Sequence, residues 1–391
     1  MGTSGNGAYR VALLQLPYLY NFLNARSPSV TNVPLAAGYL KANARRVGIL
    51  EDGVEIEILD PIEADRAGHG RLVERILSLE PDMVGFSVYE WNAHQSFDIA
   101  RTLKERRPGV VIVVGGPEII PNSQEVHFNH HRELDVGVMG DGETTFVELV
   151  DHYRGRGKSL SEIAGIVYRA ADGGIHANPL RTEPESYREI ESPYLLGYLD
   201  TEAFGFLLME TERGCPFKCA YCNWSGTKRN VFSFDRLKGE IDHARERGIE
   251  AVHFLDPTFN TSRNGRELLK YIRKVNEDRS MTFYANVYAE LLKEPQIDDL
   301  VEANFKHLTA GLQSVNPVAL NNINRKNNLP KFVDRVHRLI ERGIFVYIDI
   351  ILGLPGDDLD WVRKTLRFIT DNGLEAYSRY NILTVNPDSA L

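Results

Sequence analysis

Short apolar runs alternate with amphipathic stretches along nearly the whole chain. Apolar residues fill 11–16, 54–59, 83–88, 110–114 and 136–139. Each run has strand length and is bounded by turn-forming residues. Helical periodicity covers 33–47, 71–79, 93–105 and 143–153, and Pro34 suits a first helical turn. This β-α repetition predicts a doubly wound, Rossmann-like parallel sheet over 8–153, with helices on both faces. Such sheets bind ligands beyond the carboxyl ends of their strands. The turns Gly115-Gly116 and Gly140-Asp141-Gly142 fall at those ends.

The pattern then changes. Runs at 163–169 and 175–178, joined by Asp172, Gly173 and Gly174, predict a β-hairpin. The polar, proline-containing stretch 179–193 reads as a connector, so 154–204 is expected to link two domains. A second β-α series follows over 205–391. Its strands are expected at 207–212, 251–255, 282–286, 307–312, 345–351 and 376–382. Its helices include 234–247, 265–277, 331–342 and 359–372. Six strands with crossover helices predict a partial parallel (β/α)6 barrel, whose chemistry belongs at the strand C-terminal ends.

Composition narrows the function classes. At 391 residues the chain suits two or three domains. A net charge of -9 argues against a general nucleic-acid binder, which needs a basic face. The N-terminal ten residues are polar and carry no apolar core, so no signal peptide is expected. The apolar run 345–355 holds Asp349 and is too short to span a bilayer. A cytoplasmic protein without a membrane span is the expectation. Three cysteines in 391 residues point away from a disulfide framework.

All three cysteines, Cys215, Cys219 and Cys222, lie within eight residues, just after the first strand of the second series. Thiolates are soft ligands for iron–sulfur clusters and for zinc. Three of them can hold three irons of a 4Fe-4S cluster and leave the fourth iron open. Structural zinc needs four closed ligands, and the loop has no fourth cysteine and no histidine. His243 or His253 would have to complete such a site.

The spacing C-x3-C-x2-C, with Tyr221 before the last cysteine, resembles the radical SAM superfamily. The resemblance implies a 4Fe-4S cluster that binds S-adenosylmethionine and cleaves it reductively to a 5′-deoxyadenosyl radical. It implies that Tyr221 packs near the adenine and that Asp256, in the stretch FLDPTFN, meets the amino end. Asp256 also suits a turn cap. Gln313 and Ser314 resemble positions that meet the ribose or carboxylate. Arg325 offers a fork of donors for the carboxylate. Gly353, in ILGLPG at 351–356, resembles the turn beside the adenine.

The preceding sheet resembles the cobalamin-binding class of these enzymes, over residues 8–391. Its marks are Pro34 within NVPL at 32–35, Ser87, the run Gly115, Gly116, Pro117 and Glu118, and the run from Gly140 to Glu143. Small residues there would let the backbone approach a corrin, and amides opening the helix near Glu143 would meet cofactor amides or phosphate. The D-x-H-x-x-G motif that supplies a cobalt ligand elsewhere is missing, so the lower cobalt face is expected open or held by water. His127, His130 and His131 read as a solvated loop.

The resemblance implies a cobalamin-dependent methyltransferase acting on an unactivated carbon of an organic substrate. The deoxyadenosyl radical would abstract a hydrogen, and methylcobalamin would supply the methyl group. An external electron donor of flavodoxin or ferredoxin type would reduce the cluster. A radical cyclase or rearrangement enzyme, in which cobalamin donates no methyl, is one alternative. A non-catalytic cobalamin- or redox-responsive binding protein is another. Many members of the class continue beyond the position where this chain stops, at 386–391, so a minimal form or a fragment is expected.

Overall fold

A computed structural model describes residues 7–16, 33–122, 124–182, 187–201, 205–225, 227–385 and 389–391. Asn32, residues 183–186 of the expected connector and 386–388 of the expected terminus lie outside these. The chain divides into two compact units, Met1–Asp200 and Thr201–Leu391.

In the first unit, β1 (Tyr9–Leu14), β2 (Val54–Ile58), β3 (Met83–Ser87), β4 (Val111–Gly115) and β5 (Val136–Val138) run parallel in the order 2-1-3-4-5. The crossovers are α1 (Leu35–Arg46), α2 (Pro61–Ser78, broken at Gly68), α3 (Ala93–Arg106) and α4 (Glu143–Tyr153). Alternate strand residues feed two cores. Val84, Phe86, Ile112 and Val114 pack with Leu72, Ile76, Phe97 and Leu103. Val11, Leu13, Val113 and Val136 pack with Ala37, Phe146 and Leu149. Burial on both faces explains why these strands read as continuous apolar runs rather than alternating ones. The strand order reverses between β1 and β3, which makes that edge the natural ligand crevice.

The hairpin β6 (Ile166–Arg169) and β7 (Ile175–Ala177) does not stand apart as a linking element. It pairs antiparallel along β5 and completes a seven-stranded sheet. Pairing partners are distant in sequence, so the local pattern located the hairpin but not its seat.

In the second unit, β8 (Leu207–Met209) leads to a small ladder of β9 (Glu212–Arg213) and β10 (Asn230–Val231). The run expected at 207–212 is thus split between two sheets. Then come β11 (Ala251–Phe254), β12 (Thr282–Val287), β13 (Phe305–Gln313), β14 (Phe345–Leu352) and β15 (Ser378–Ile382). Six parallel strands lie side by side in chain order, from β8 to β15, with β8 and β15 at the two edges. One sheet face is dry: Phe254, Phe283 and Phe305 stack there, with the rings of Phe283 and Phe305 5.5 Å apart. Among the described residues, no helix is long and apolar enough to cross a membrane.

Candidate functional site

The cysteine loop is closed at its base before its side chains are considered. Asn230 pairs with Arg213 and Val231 with Glu212 across the β9/β10 ladder. Gly214 follows at φ +101°, where an added Cβ would sit deep inside van der Waals contact of the Lys228 carbonyl. Arg229 Nε donates to Glu212 Oε1 at 2.8 Å, and Glu212 Oε2 accepts from the Arg263 amide at 3.3 Å. Inside the loop the Cys215 amide donates to Thr227 Oγ1 at 3.1 Å and the Cys222 amide to the Cys219 carbonyl at 3.1 Å. The Ala220 amide donates to the Ile323 carbonyl, tying the loop to the segment after β13.

All three thiols are free; Cys215 and Cys219 are buried and Cys222 is half-buried. Burial pushes the Cys222 thiol up, and Cys219 and Cys215 beside it add to the shift. Thiolates crowded this way need a cationic group to offset their repulsion, and cluster irons supply it. Among the described residues, no three His, Cys, Asp or Glu side chains converge to hold a single metal ion. The histidines considered for zinc are engaged elsewhere. His243 Nε2 lies 3.4 Å from Thr201 Oγ1, and His253 stacks on Tyr284 at 4.2 Å. Burial and neighbouring His307 push His253 down to about 4. The donor set fits a cluster with one open iron better than zinc.

Several expected residues meet this loop. Arg325 Nη1 lies 3.9 Å from Cys219 Sγ. Its Nη2 donates to the Gly311 carbonyl, its Nε donates to Asn327 Oδ1 at 3.1 Å, and its guanidinium lies 4.8 Å over the Tyr288 ring. Burial opposes its charge, but Tyr221, Tyr288, Cys219 and Glu290 together raise its pKa. Gln313 sits at φ +67°, where the β13/β14 register shifts. Its side chain lies over Gly311, and its Oε1 is buried without a partner. A strained backbone and an orphaned acceptor at a strand end suit a ligand contact. Ser314 is buried, and its Oγ accepts from the Asn316 amide at 3.0 Å, which shapes the turn. Tyr221 packs against the small core of Ala319, Leu320, Ile323 and Leu354, and Ile351 packs on the same core, just before the turn that holds Gly353 at φ +87°. Burial pushes the Tyr221 phenol up.

Asp256 is turned inward. It is 1% exposed and accepts from the Thr211 amide at 3.0 Å and from the Thr211 hydroxyl. Burial pushes it up to about 7; the Thr211 bonds pull it down, while Glu210 and Glu212 raise it. Its carbonyl accepts from Asn286 Nδ2 at 3.3 Å. This carboxylate braces the end of β11 against the end of β8.

Tyr288, Glu290, Asn327 and Thr258 were not singled out in the sequence. Thr258 Oγ1 lies 3.9 Å from Cys215 Sγ, and Asn327 Nδ2 donates to the Leu312 carbonyl at 2.6 Å. Tyr288 follows β12 directly, so the strand-end rule applied to β13 would have found it.

The marks on the first unit also share one edge. Pro34 precedes α1, and its carbonyl accepts from the Gly38 amide at 3.0 Å. Ser87 ends β3, and its carbonyl accepts from Asn92 Nδ2 at 3.2 Å; the same amide reaches the Leu16 carbonyl beyond β1 at 3.0 Å. Buried Asn92 therefore pins the reversal point of the sheet. Gly115 ends β4. Gly116, at φ +106°, would place a Cβ 2.6 Å from the Val88 carbonyl. After Pro117, Glu118 donates its amide to the same carbonyl at 3.3 Å. Gly140, at φ +79°, would project a Cβ into open space, and Glu143 opens α4 with 3% exposure. A close backbone turn at Gly116 and an open one at Gly140 fit the approach of a broad, flat ligand.

The histidine segment is not a solvated loop. His127 is 7% exposed, 5.3 Å from the Phe97 ring and 3.4 Å from Glu118. His131 lies 4.5 Å from Phe97 and 3.0 Å from Glu133, and only His130 is exposed. An apolar partner on α3 overrode the local polarity.

Comparisons with known proteins agree with this division. The radical SAM superfamily matches residues 209–369, and the B12 binding domain matches residues 32–150. The 2-(S-pantetheinyl)-carbapenam-3-carboxylate methyltransferase of Streptantibioticus cattleyicolor is 27% identical over 90% of this chain and 51% of its own length. The cobalamin-dependent radical SAM methyltransferase TokK of Streptomyces tokunonensis is 24% identical over 100% of this chain and 57% of its own. The chain thus spans about half the length of these curated relatives. The solved structure of TsrM from Kitasatospora setae, with cobalamin and a [4Fe-4S] cluster, superposes with a TM-score of 0.78 at 17% identity, over 98% of this chain and 77% of that one. OxsB with aqua-cobalamin and S-adenosylmethionine gives 0.73 at 19%, over 98% and 54%.

Proposed function

Because this chain belongs to the radical SAM enzymes that carry a B12 binding domain, we propose that it is a cobalamin-dependent methyltransferase acting on an unactivated carbon. The observation that carries the proposal is the braced loop of Cys215, Cys219 and Cys222 with Arg325 against Cys219. The methyltransferase names of its relatives support the reaction class. When bound, the cluster supplies the electron that breaks the sulfonium bond of S-adenosylmethionine, and cobalamin supplies the methyl group.

The rest falls to the chain. Arg325 holds the carboxylate of S-adenosylmethionine, and Asp256 stands at its amino end. Gln313 Oε1, buried and unpartnered, accepts from the ribose, with Ser314 shaping that turn. Tyr221 and the Gly353 turn enclose the adenine. On the other unit Pro34, Ser87, the 115–118 turn, Gly140 and Glu143 form the cobalamin edge. Holding the reacting groups in line and excluding water is the protein's main contribution. Three cluster thiolates need a reducing compartment, which fits the cytoplasm.

The electron donor is of flavodoxin or ferredoxin type. Segments 214–231, 257–266 and 314–333 carry eight Lys and Arg and no Asp or Glu, in a chain of net charge -9. Lys228, Arg263, Lys326 and Lys331 are exposed there. A basic rim around the cysteine loop suits an acidic donor, whose reduction rate then falls with rising salt.

The test is anaerobic reconstitution with iron, sulfide and hydroxocobalamin, followed by assay of deoxyadenosine and of methyl transfer from labelled S-adenosylmethionine. Deoxyadenosine at the level of the triple-cysteine variant sinks the radical chemistry. Deoxyadenosine without methylcobalamin turnover sinks the methyltransferase.

A further inference from the structure

Two groups assigned to S-adenosylmethionine, Arg325 and Gln313, share one supporting side chain. Asn327 is half-buried, and its Oδ1 accepts from Arg325 Nε at 3.1 Å. Its Nδ2 donates to the Leu312 carbonyl at 2.6 Å and to the Ser314 carbonyl at 3.4 Å. Those two carbonyls flank Gln313. The reverse amide orientation is closed to Asn327. It would set an oxygen against two carbonyls, and an NH2 group against a guanidinium that only donates.

The turn that Asn327 spans is strained. Gln313 stands at φ +67°, and the Ser314 amide donates back across it to the Leu312 carbonyl at 2.9 Å. A three-residue turn of this hand is rare and costly for a residue with a Cβ. It persists only where its surroundings over-determine it. Asn327 supplies that restraint by gripping the carbonyls on both sides. The segment 324–328 in turn fixes Asn327. Asn324 Nδ2 donates to the Lys218 carbonyl in the cysteine loop at 2.8 Å. The Tyr288 hydroxyl beyond β12 donates to the Lys326 carbonyl at 2.6 Å. Asn328 Oδ1 accepts from the Lys331 amide at 3.1 Å and caps the helix Leu329–Glu341.

We infer that Asn327 is a positioning residue: it holds the Arg325 guanidinium and the Gln313 turn in one fixed relation, so that the carboxylate and the ribose of S-adenosylmethionine are met together. The inference rests on the roles proposed above for Arg325 and Gln313. Without Asn327, Arg325 Nε loses its acceptor. The turn can then relax out of positive φ and carry Gln313 Oε1 off the ligand. Pre-organisation is lost at both ends of the ligand, and affinity falls with it. Iron content should hold, because the cysteine loop is tied through β9, β10 and Asn324 rather than through Asn327.

The experiment is equilibrium binding of labelled S-adenosylmethionine to the full chain reconstituted with iron and sulfide, both counted in parallel. The cluster is left oxidised and cobalamin is omitted, so no ligand is consumed. Asn327→Leu, close in size, should keep its iron and bind on the order of tenfold or more weakly, about the loss of one hydrogen bond to a charged group. In a Gln313→Gly background the same substitution should cost less than about half as much on a logarithmic scale, because glycine takes positive φ unaided and the turn needs no restraint. A merely structural role would give the same loss in both backgrounds. Unchanged affinity in Asn327→Leu at full iron content overturns the inference, as does an equal loss with Gln313 and with glycine there. Should Asn327→Leu take up no iron, Asn327→Asp carries the test. It keeps the acceptor for Arg325 and loses the donors to the turn, and unchanged affinity in it at full iron content overturns the inference. A parent chain that holds its iron but binds no S-adenosylmethionine overturns the reading of the site itself, and this inference with it. An Arg325→Gln variant that binds as the parent does has the same consequence.

Discussion

Beyond β3, β4 and β5 the first unit presents backbone, whereas beyond β8, β12 and β13 the second presents side chains. Gly116 and Gly140 turn at positive φ around open or tightly fitted space, with Asn92 pinning the strands beneath. On the other unit Cys219, Arg325, Tyr288 and Gln313 crowd one strand edge. The contrast follows ligand chemistry. A large flat cofactor is held by shape and close main-chain approach, and a small charged one by directed groups. Substitutions should separate the two edges accordingly.

The largest effect is expected at the thiols. Cys219→Ser should lower iron content and deoxyadenosine formation by more than ~100-fold, beyond what loss of a supporting contact costs. Cobalamin content should be unchanged; joint loss of both cofactors would break the separation. Gly214→Ala should come next. Its Cβ cannot coexist with the Lys228 carbonyl, so about 2 kcal/mol or more of local stability should go. Thermal melting and iron retention would report it. Gly116→Ala is the mirror test on the first unit, with a Cβ 2.6 Å from the Val88 carbonyl. It should lose cobalamin by spectrum and keep its iron.

A smaller, pH-dependent effect is expected at Asp256. Burial holds its carboxyl at about 7, well above the ordinary 3.8. The folded state therefore binds more protons between those values, and its stability falls as pH rises through them, by on the order of 4 kcal/mol in all. Melting of the cofactor-free chain should drop from pH 5 to pH 8. Asp256→Asn, which can still accept from the Thr211 amide, should flatten that slope. The smallest structural effect belongs to Gly115→Ala. Its Cβ would meet nothing closer than Val138 at 3.7 Å, so melting should hold within ~0.5 kcal/mol. Any cobalamin that variant loses is lost to direct contact with the ligand.

Much of this arrangement was legible along the chain because it is written locally. The apolar runs gave both parallel sheets, and the cysteine spacing located the loop that β9 and β10 close. Non-local pairing was not legible. The hairpin's seat on β5 depends on Val136 and Tyr168 meeting across 32 residues. His127 looked polar until Phe97 covered it. Asp256 was expected at the amino end of a ligand; its bond to Thr211, a partner 45 residues earlier, carries no local mark.

With both ends pinned by β9 and β10, the stretch between them is a chelate ring closed before any iron arrives. The entropy of bringing three thiols together is already lost in folding, so each successive iron–sulfur bond forms at high effective concentration. A cluster carrier meets one three-toothed ligand rather than three separate cysteines. Loosening the ladder should therefore slow cluster loading well before it lets a loaded cluster escape.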